Sequence, residues 1–318
     1  MRPSARPVGH RPSLALPALL AALLVLAAVG CDRSERIAPG AATEPVQAVA
    51  LLSRHLRNND LQAFARDAVP PELLPPLAAA WQAGSTRWPL DELPFDQKIP
   101  GIVTTLSADQ ADVQLRRSFD RQFANANTEI HAAATALGLF GVKFLQSDDT
   151  LSAEERAHYA QLVSAMSEWG ASASLGDPKR GRSAIARLTL AARQTGLREE
   201  ADFRRFGMDD SLRRLTPLIA ALKETLRSHD LDLDQSLDTM TLSLDREDGD
   251  RALVRMRYSL AGKAIDTSVA VERIDGHWYL SDFLRHARAA ALVPDAAPAA
   301  MPSVLPSTET ATKQPPSS

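Results

Sequence analysis

Cysteine occurs once in the 318 residues, at Cys31, directly after the small triplet Ala28-Val29-Gly30 and an apolar run that begins at Leu14. One cysteine cannot close an internal disulfide, so stability has to come from core burial. What a lone thiol does offer is a nucleophile, because its thiolate attacks electrophilic donors readily. The remaining candidates for chemistry form no motif: His-Glu-x-x-His, Gly-x-Ser-x-Gly, the phosphate loop and Ser-x-x-Lys are all absent. Asp230, Asp232 and Asp234 begin like a calcium loop, but Gln235 stands where that loop needs glycine and Thr241 where it needs the closing glutamate. Leu231 and Leu233 alternate with these acids, which predicts a half-buried extended segment. The histidines beyond the thiol, His55, His131, His158, His229, His277 and His286, lack metal-ligand spacing and are expected in structural or surface roles. No metal and no cofactor is expected. Carboxylates such as Glu154, Glu155 or Glu199 could serve a hydrolase as acid or base, yet no motif distinguishes them, and no catalytic residue is assigned.

From Lys179 to Arg214 the chain carries ten basic residues against five acids. On a protein held near a membrane, Lys179, Arg180, Arg182 and Arg187 could contact anionic lipid headgroups or an acidic partner, at about 1 kcal/mol per basic residue close to such a surface. Their spacing follows helix faces and no aromatic residues interleave, so a solvated helical surface is the favoured reading. The whole chain has 36 basic and 39 acidic residues, which carries no nucleic-acid signature.

Around the thiol, Arg2, Arg6 and Arg11 precede the apolar run and no acid occurs before Asp32. That is the layout of a secretory signal, and a run of about 16 residues is short for a bilayer-spanning helix, which needs about 20. Ala28-Val29-Gly30-Cys31 resembles the lipobox of bacterial lipoproteins. The resemblance implies a diacylglyceryl thioether on Cys31, cleavage before it, and acylation of the new amino group. Two or three acyl chains anchor a protein stably where one does not. It further implies a periplasm-facing protein, with Asp32 favouring the inner membrane and the inner leaflet of the outer membrane as the other location. Without the three leader arginines the balance is 33 basic to 39 acidic residues.

Residues 1–30 are thus expected to be a signal peptide, 31–44 a lipidated tether, 45–230 a mainly helical region, 231–292 an antiparallel sheet with a helix packed on helix 45–67, and 293–318 a disordered Pro/Ala/Ser tail. Val46, Val49, Leu52 and Leu56 form one stripe, and Leu61, Phe64 and Ala65 follow the Asn58-Asn59-Asp60 break. Ser107 with Gln110 and Ser152 with Glu155 match the capping box. The first is expected to start a helix through Leu115, Phe119 and Phe123 that continues through Ile130, Ala134 and Leu137. The second opens the clearest stripe, Tyr159, Leu162, Val163, Met166 and Trp169. Further helices fit Ser183 to Thr195 and Pro217 to Ser228. At Thr239 the period changes to two, and four strands separated by Asp248-Gly249, Gly262 and Asp275-Gly276 predict an antiparallel meander closed by a helix capped at Asp282. The fold class expected is α+β.

The ending Ile274-Asp-Gly-His-Trp-Tyr-Leu-Ser-Asp282 is similar to the last hairpin of the cone-shaped fold of nuclear transport factor 2 and the ketosteroid isomerases, and the opening helix with Asn59-Asp60-Leu61 and Phe64 resembles its start. That resemblance covers about 80 residues and implies an insertion or a separate domain between Ala108 and Ser228; no active-site residue carries over. The function expected is that of a lipid-anchored envelope protein acting as a non-catalytic binding or assembly module, attached to the membrane through acyl chains on Cys31 and meeting an envelope protein partner. An envelope hydrolase acting on wall or lipid, and an immunity or inhibitor lipoprotein against a toxin, are the alternatives.

Overall fold

The described chain turns helical within three residues of its start. In a computed structural model, which describes residues 42–92, 99–148 and 151–292, α1 (Pro45–Arg57) turns Val49, Leu52 and Leu56 inward. Cys31, the expected leader and the expected tail lie outside the described residues. Asn59 takes a left-handed conformation (φ 58°), and Asp60 then caps α2 (Leu61–Asp67) by accepting from the Ala63 amide at 2.9 Å. A 3-10 turn leads to α3 (Leu74–Ala83), which ends at Gly84 in the left-handed region (φ 87°) that glycine enters without strain. The body continues through α4 (Ile99–Ser107), α5 (Ala111–Gln122), α6 (Asn127–Gln146), α7 (Ala153–Gly170), α8 (Pro178–Thr195), α9 (Glu200–Arg214), α10 (Thr216–Arg227) and α11 (Leu233–Asp238).

The period change at Thr239 is real. Strands β1 (Thr241–Asp248), β2 (Arg251–Leu260), β3 (Lys263–Ile274) and β4 (His277–Leu280) pair antiparallel in sequence order, and α12 (Ser281–Ala291) closes the chain. The fold is α+β. Ala252, Val254, Met256, Tyr258 and Leu260 of β2 are all buried on one face. Both hairpin turns flanking β3, Ala261-Gly262 (φ 51°, 80°) and Asp275-Gly276 (φ 49°, 81°), have positive φ at both central residues, the geometry whose twist matches that of the strands. On β1 the alternation fades: Leu242 is half-buried and Leu244 is exposed, for this edge strand has a neighbour on one side only. Helix α1 packs across all four strands, and the Trp278 amide donates to the Ala42 carbonyl at 2.8 Å, tying the start of the domain to β4.

Two buried contacts tie the helical body together, one to the sheet and one to the end of α1. Helix α7 lies on β3 and β2, with His158 hydrogen-bonded to the Tyr258 hydroxyl at 2.8 Å. The Lys223 ammonium of α10 is buried and donates to the Leu56 carbonyl (2.7 Å), the Arg57 carbonyl (3.2 Å) and Asp234 (2.6 Å). It thereby satisfies carbonyls at the end of α1 that have no partner within the helix. Burial lowers its pKa, and Asp234 works against that.

Several local expectations are corrected. Ser107 ends α4 instead of starting a helix; its hydroxyl donates to the carbonyls of Thr104 (3.1 Å) and Leu197 (3.0 Å), and Gln110 (φ 57°) precedes α5. The helix expected to run on past Phe123 is broken at Asn125 (φ 63°) and restarts as α6. Helix α8 starts at Pro178, before Ser183, because Asp177 caps it by accepting from the Arg180 amide at 2.7 Å. Leu231 and Leu233 are buried, but Asp232 caps α11 through the Gln235 amide (3.0 Å), so the segment is a helix start rather than extended. Asp282 lies in the first turn of α12, two residues past the capping position, which Leu280 occupies. Helix α9 carries a break at Gly207 (φ 74°, ψ 179°), which masks its periodicity in the sequence.

Helices α6 and α7 approach closely where side chains are smallest. A Cβ on Gly138 would sit 2.1 Å from Oγ and 2.3 Å from Cβ of Ser167, so rotating that serine gives no relief. The Ser167 hydroxyl donates to the Ala134 carbonyl at 3.0 Å across the same seam. Gly138→Ala is therefore expected to lower the unfolding free energy by about 1–3 kcal/mol, as overpacking does. Gly101→Ala, with open space around it in α4, should leave stability unchanged or raise it by up to about 1 kcal/mol. Equal effects in urea melts of the two variants would contradict this packing.

Candidate functional site

Where α7 begins, its first turn meets α12 and the 3-10 turn Leu90–Glu92. The start of α7 is fixed by a complete capping box: the Glu155 amide donates to the Ser152 hydroxyl (3.1 Å), and the Ser152 amide donates to the Glu155 carboxylate (2.7 Å). Glu155 is buried, and its Oε2 also accepts from Arg285 of α12 at 2.7 Å. Arg285 reaches Asp282 at 3.0 Å on the same helix. One turn further, His286 Nδ1 lies 2.6 Å from Glu92 Oε2, while its Nε2 lies 3.9 Å from Glu155 Oε1. The imidazole thus stands between two carboxyl groups. They border a cleft of about 30 Å³ that also meets Glu154, His158, Tyr159 and Phe283.

The electrostatics of this cleft favour a held proton. Burial raises the Glu92 pKa, and the hydrogen bond from His286 opposes the shift without cancelling it. The His286 pKa is raised by that same hydrogen bond, against its own partial burial. Both groups of the pair therefore bind a proton more tightly than they would in water. His158 behaves oppositely: complete burial takes it down to about 3, so it is neutral and acts as a fixed structural partner of Tyr258. Burial also pushes the Tyr159 hydroxyl well up. A carboxyl–imidazole pair at 2.6 Å beside a second carboxylate can hold and relay a proton, and a cleft this size admits one or two waters. Among the described residues no three His, Cys, Asp or Glu side chains come together in a way that could hold a metal ion.

Of the carboxylates considered from sequence, Glu154 and Glu155 border this cleft and Glu199 does not; it precedes α9, its amide donating to Asp202 at 3.1 Å. Glu92 and His286 escaped sequence reasoning because 194 residues separate them. The available signal was the placing of Asp282, Arg285 and His286 at i, i+3 and i+4 of one helix. The four basic candidates all lie on α8. Lys179 is exposed, Arg180 pairs with Asp230 (3.1 Å), Arg182 with Asp120 (3.0 Å) and Arg187 with Glu224 (4.0 Å).

A second feature lies on the far side of α7. Helix α6 packs on α7 through Gly138, Gly141 and Leu145 and turns Leu137, Leu139, Phe140 and Phe144 to solvent, with Phe140 73% and Leu139 71% exposed. Ala133, Ala136, Leu137, Phe140 and Phe144 recur at helical spacing and form one apolar stripe opposite the packed side. Side chains this large are normally covered, and contiguous exposed apolar stripes are found where proteins meet a partner or a membrane. No helix among the described residues is long and apolar enough to cross a membrane.

No protein-family model, no curated protein and no solved structure matches the chain. The proton held by Glu92 and His286 has a measurable consequence for stability. Both pKa values are raised on folding, from 4.5 and 6.5 in the free groups, so between those values and the raised ones the folded state binds more protons. The pair's contribution is full at low pH and is lost as pH rises through that window. The double variant Glu92→Gln/His286→Gln is expected to remove this falling component, which sets in as pH rises above the free-group values, from the unfolding free energy measured in urea across pH. Identical pH slopes for the variant and the parent would contradict the shared proton.

Proposed function

We propose that the chain is a lipid-anchored, periplasm-facing protein of the bacterial cell envelope and works there as a non-catalytic binding or assembly module. The anchor is Cys31 in its lipobox-like setting, held by acyl chains, with Asp32 favouring the inner membrane. The observation that carries the reading is the outer face of α6, an exposed apolar stripe on a helix held rigidly by close packing on α7. A domain that keeps such a stripe in water gains by covering it, and a tethered domain meets its cover at high effective concentration. The test is in-cell cross-linking of the tagged chain with mass spectrometry of what is recovered, beside a Cys31→Ser control. The reading expects acyl mass on the N-terminal peptide and recovered envelope components that vanish in the control. An unacylated Cys31 and an unchanged recovery would contradict it.

The cleft supports a second reading, an envelope hydrolase acting on wall or lipid. Glu92, whose pKa burial raises, faces the Arg285-paired Glu155 across His286, two carboxyl groups in different surroundings on either side of an imidazole, the kind of arrangement acid–base catalysis uses. Turnover of purified wall material by the parent, abolished in Glu92→Gln, is the result this reading expects. No turnover above the variant would exclude it.

A further inference from the structure

We propose that the outer face of α6 lies on the phospholipid bilayer in which Cys31 is anchored, so that the domain rests on the membrane surface instead of hanging from it; this builds on the anchored reading above. Three observations carry it. The first is the tether: Ala42, the first described residue, stands eleven residues after Cys31, and a fully extended chain of that length spans at most about 40 Å. The bilayer is thus always within reach of the domain and is the apolar phase that α6 meets at the highest effective concentration.

The second is the chemistry of the face. From Ile130 to Val142 the helix has no charged residue; Glu129 sits at its start and Lys143 near its end. The exposed side chains of this stretch are leucine, phenylalanine and alanine, with Thr135 the one polar residue among them, and its hydroxyl is turned back to donate to the His131 carbonyl at 3.0 Å. Lys143 is exposed beside Phe140 and Phe144, where an ammonium on a flexible stem can reach lipid phosphates while the phenyl rings enter the acyl boundary. The third is length. Helix α6 has 20 residues but is not apolar enough to cross a membrane, and its inner face is committed to α7 through Gly138 and Gly141. A helix with one buried and one apolar exposed face, too polar overall to insert, lies in the plane of the interface.

The full chain carrying a benzophenone amino acid in place of Phe140, expressed in cells and irradiated, tests this. The expected product is the α6 peptide bearing the mass of a phospholipid. An adduct to a second copy, to another protein or to the chain's own tail, or no adduct at all, would overturn the proposal. The N-terminal peptide of the same sample separates the two claims. Acylated Cys31 without a lipid adduct at residue 140 defeats the docking and leaves the anchor standing; a lipid adduct with a bare thiol does the reverse. Since Leu139 and Phe140 are surface residues, Leu139→Asp/Phe140→Asp in the Cys31→Ser chain should fold normally and bind phosphatidylcholine vesicles roughly tenfold less than Cys31→Ser alone. Equal vesicle binding would also overturn the proposal.

Discussion

The reciprocal cap between Ser152 and Glu155 is the interaction on which the rest of this structure depends. By setting where α7 begins, it fixes the rotation of every residue along that helix. His158 then reaches the Tyr258 hydroxyl on the sheet side, Ser167 meets the Ala134 carbonyl on the α6 side, and the Trp169 indole donates to the His229 carbonyl at 2.7 Å beyond α10. A shift of the helix start by one residue would turn these contacts through about 100° and uncouple three neighbours at once. The same Glu155 carboxylate receives Arg285, so the cap also holds α12 and the cleft behind it.

Buried charge recurs at the joints of this fold, and in each case it is bound by several partners. Glu155 has the Ser152 amide and Arg285; Lys223 has two carbonyls and Asp234; Asp67 lies 2.7 Å from His55 and 2.9 Å from Arg66. Desolvating an ion costs several kcal/mol, and such groups persist when their bonds are made in full. What they contribute is position, since each charge tolerates only one arrangement of its neighbours. The Glu92–His286 pair differs in having its second carboxylate neighbour 3.9 Å away, beyond hydrogen-bond reach, beside open space.

Much of the fold was legible in the sequence because its signals are local. The period-two strands, the Asp275-Gly276 turn, the stripe of α7 and the Ser152–Glu155 box all depend on residues within a few positions of one another. The misreadings arose where a local signal had a stronger competitor: Ser107 matched a helix start, yet its hydroxyl bonds the Leu197 carbonyl from 90 residues away. Asp232 alternated with leucines as a strand residue would, but an aspartate one turn before a free amide is also a cap. The cleft was half legible: Glu154 and Glu155 were considered on residue type, while Glu92 and His286 meet only through the tertiary fold. Of the apolar stripe of α6 the sequence reading includes only Leu137, as the end of a longer helix, and the exposure of the stripe is not foreseeable, because apolar periodicity tells which residues share a face and not whether that face is covered.

The cleft lies at the first turn of α7 and the stripe on the outer face of α6, so the two are separate surfaces. Under the proposed anchoring, the helical scaffold would present the outward apolar stripe of α6 to the membrane surface. Hydrogen exchange of the full acylated chain, reconstituted in phospholipid vesicles and compared with the soluble Cys31→Ser chain, tests this most directly. The account expects the amides of Ala136 to Gln146 to exchange more slowly in the vesicle-bound chain, with the strands unchanged. Equal exchange across α6 in the two samples would contradict it.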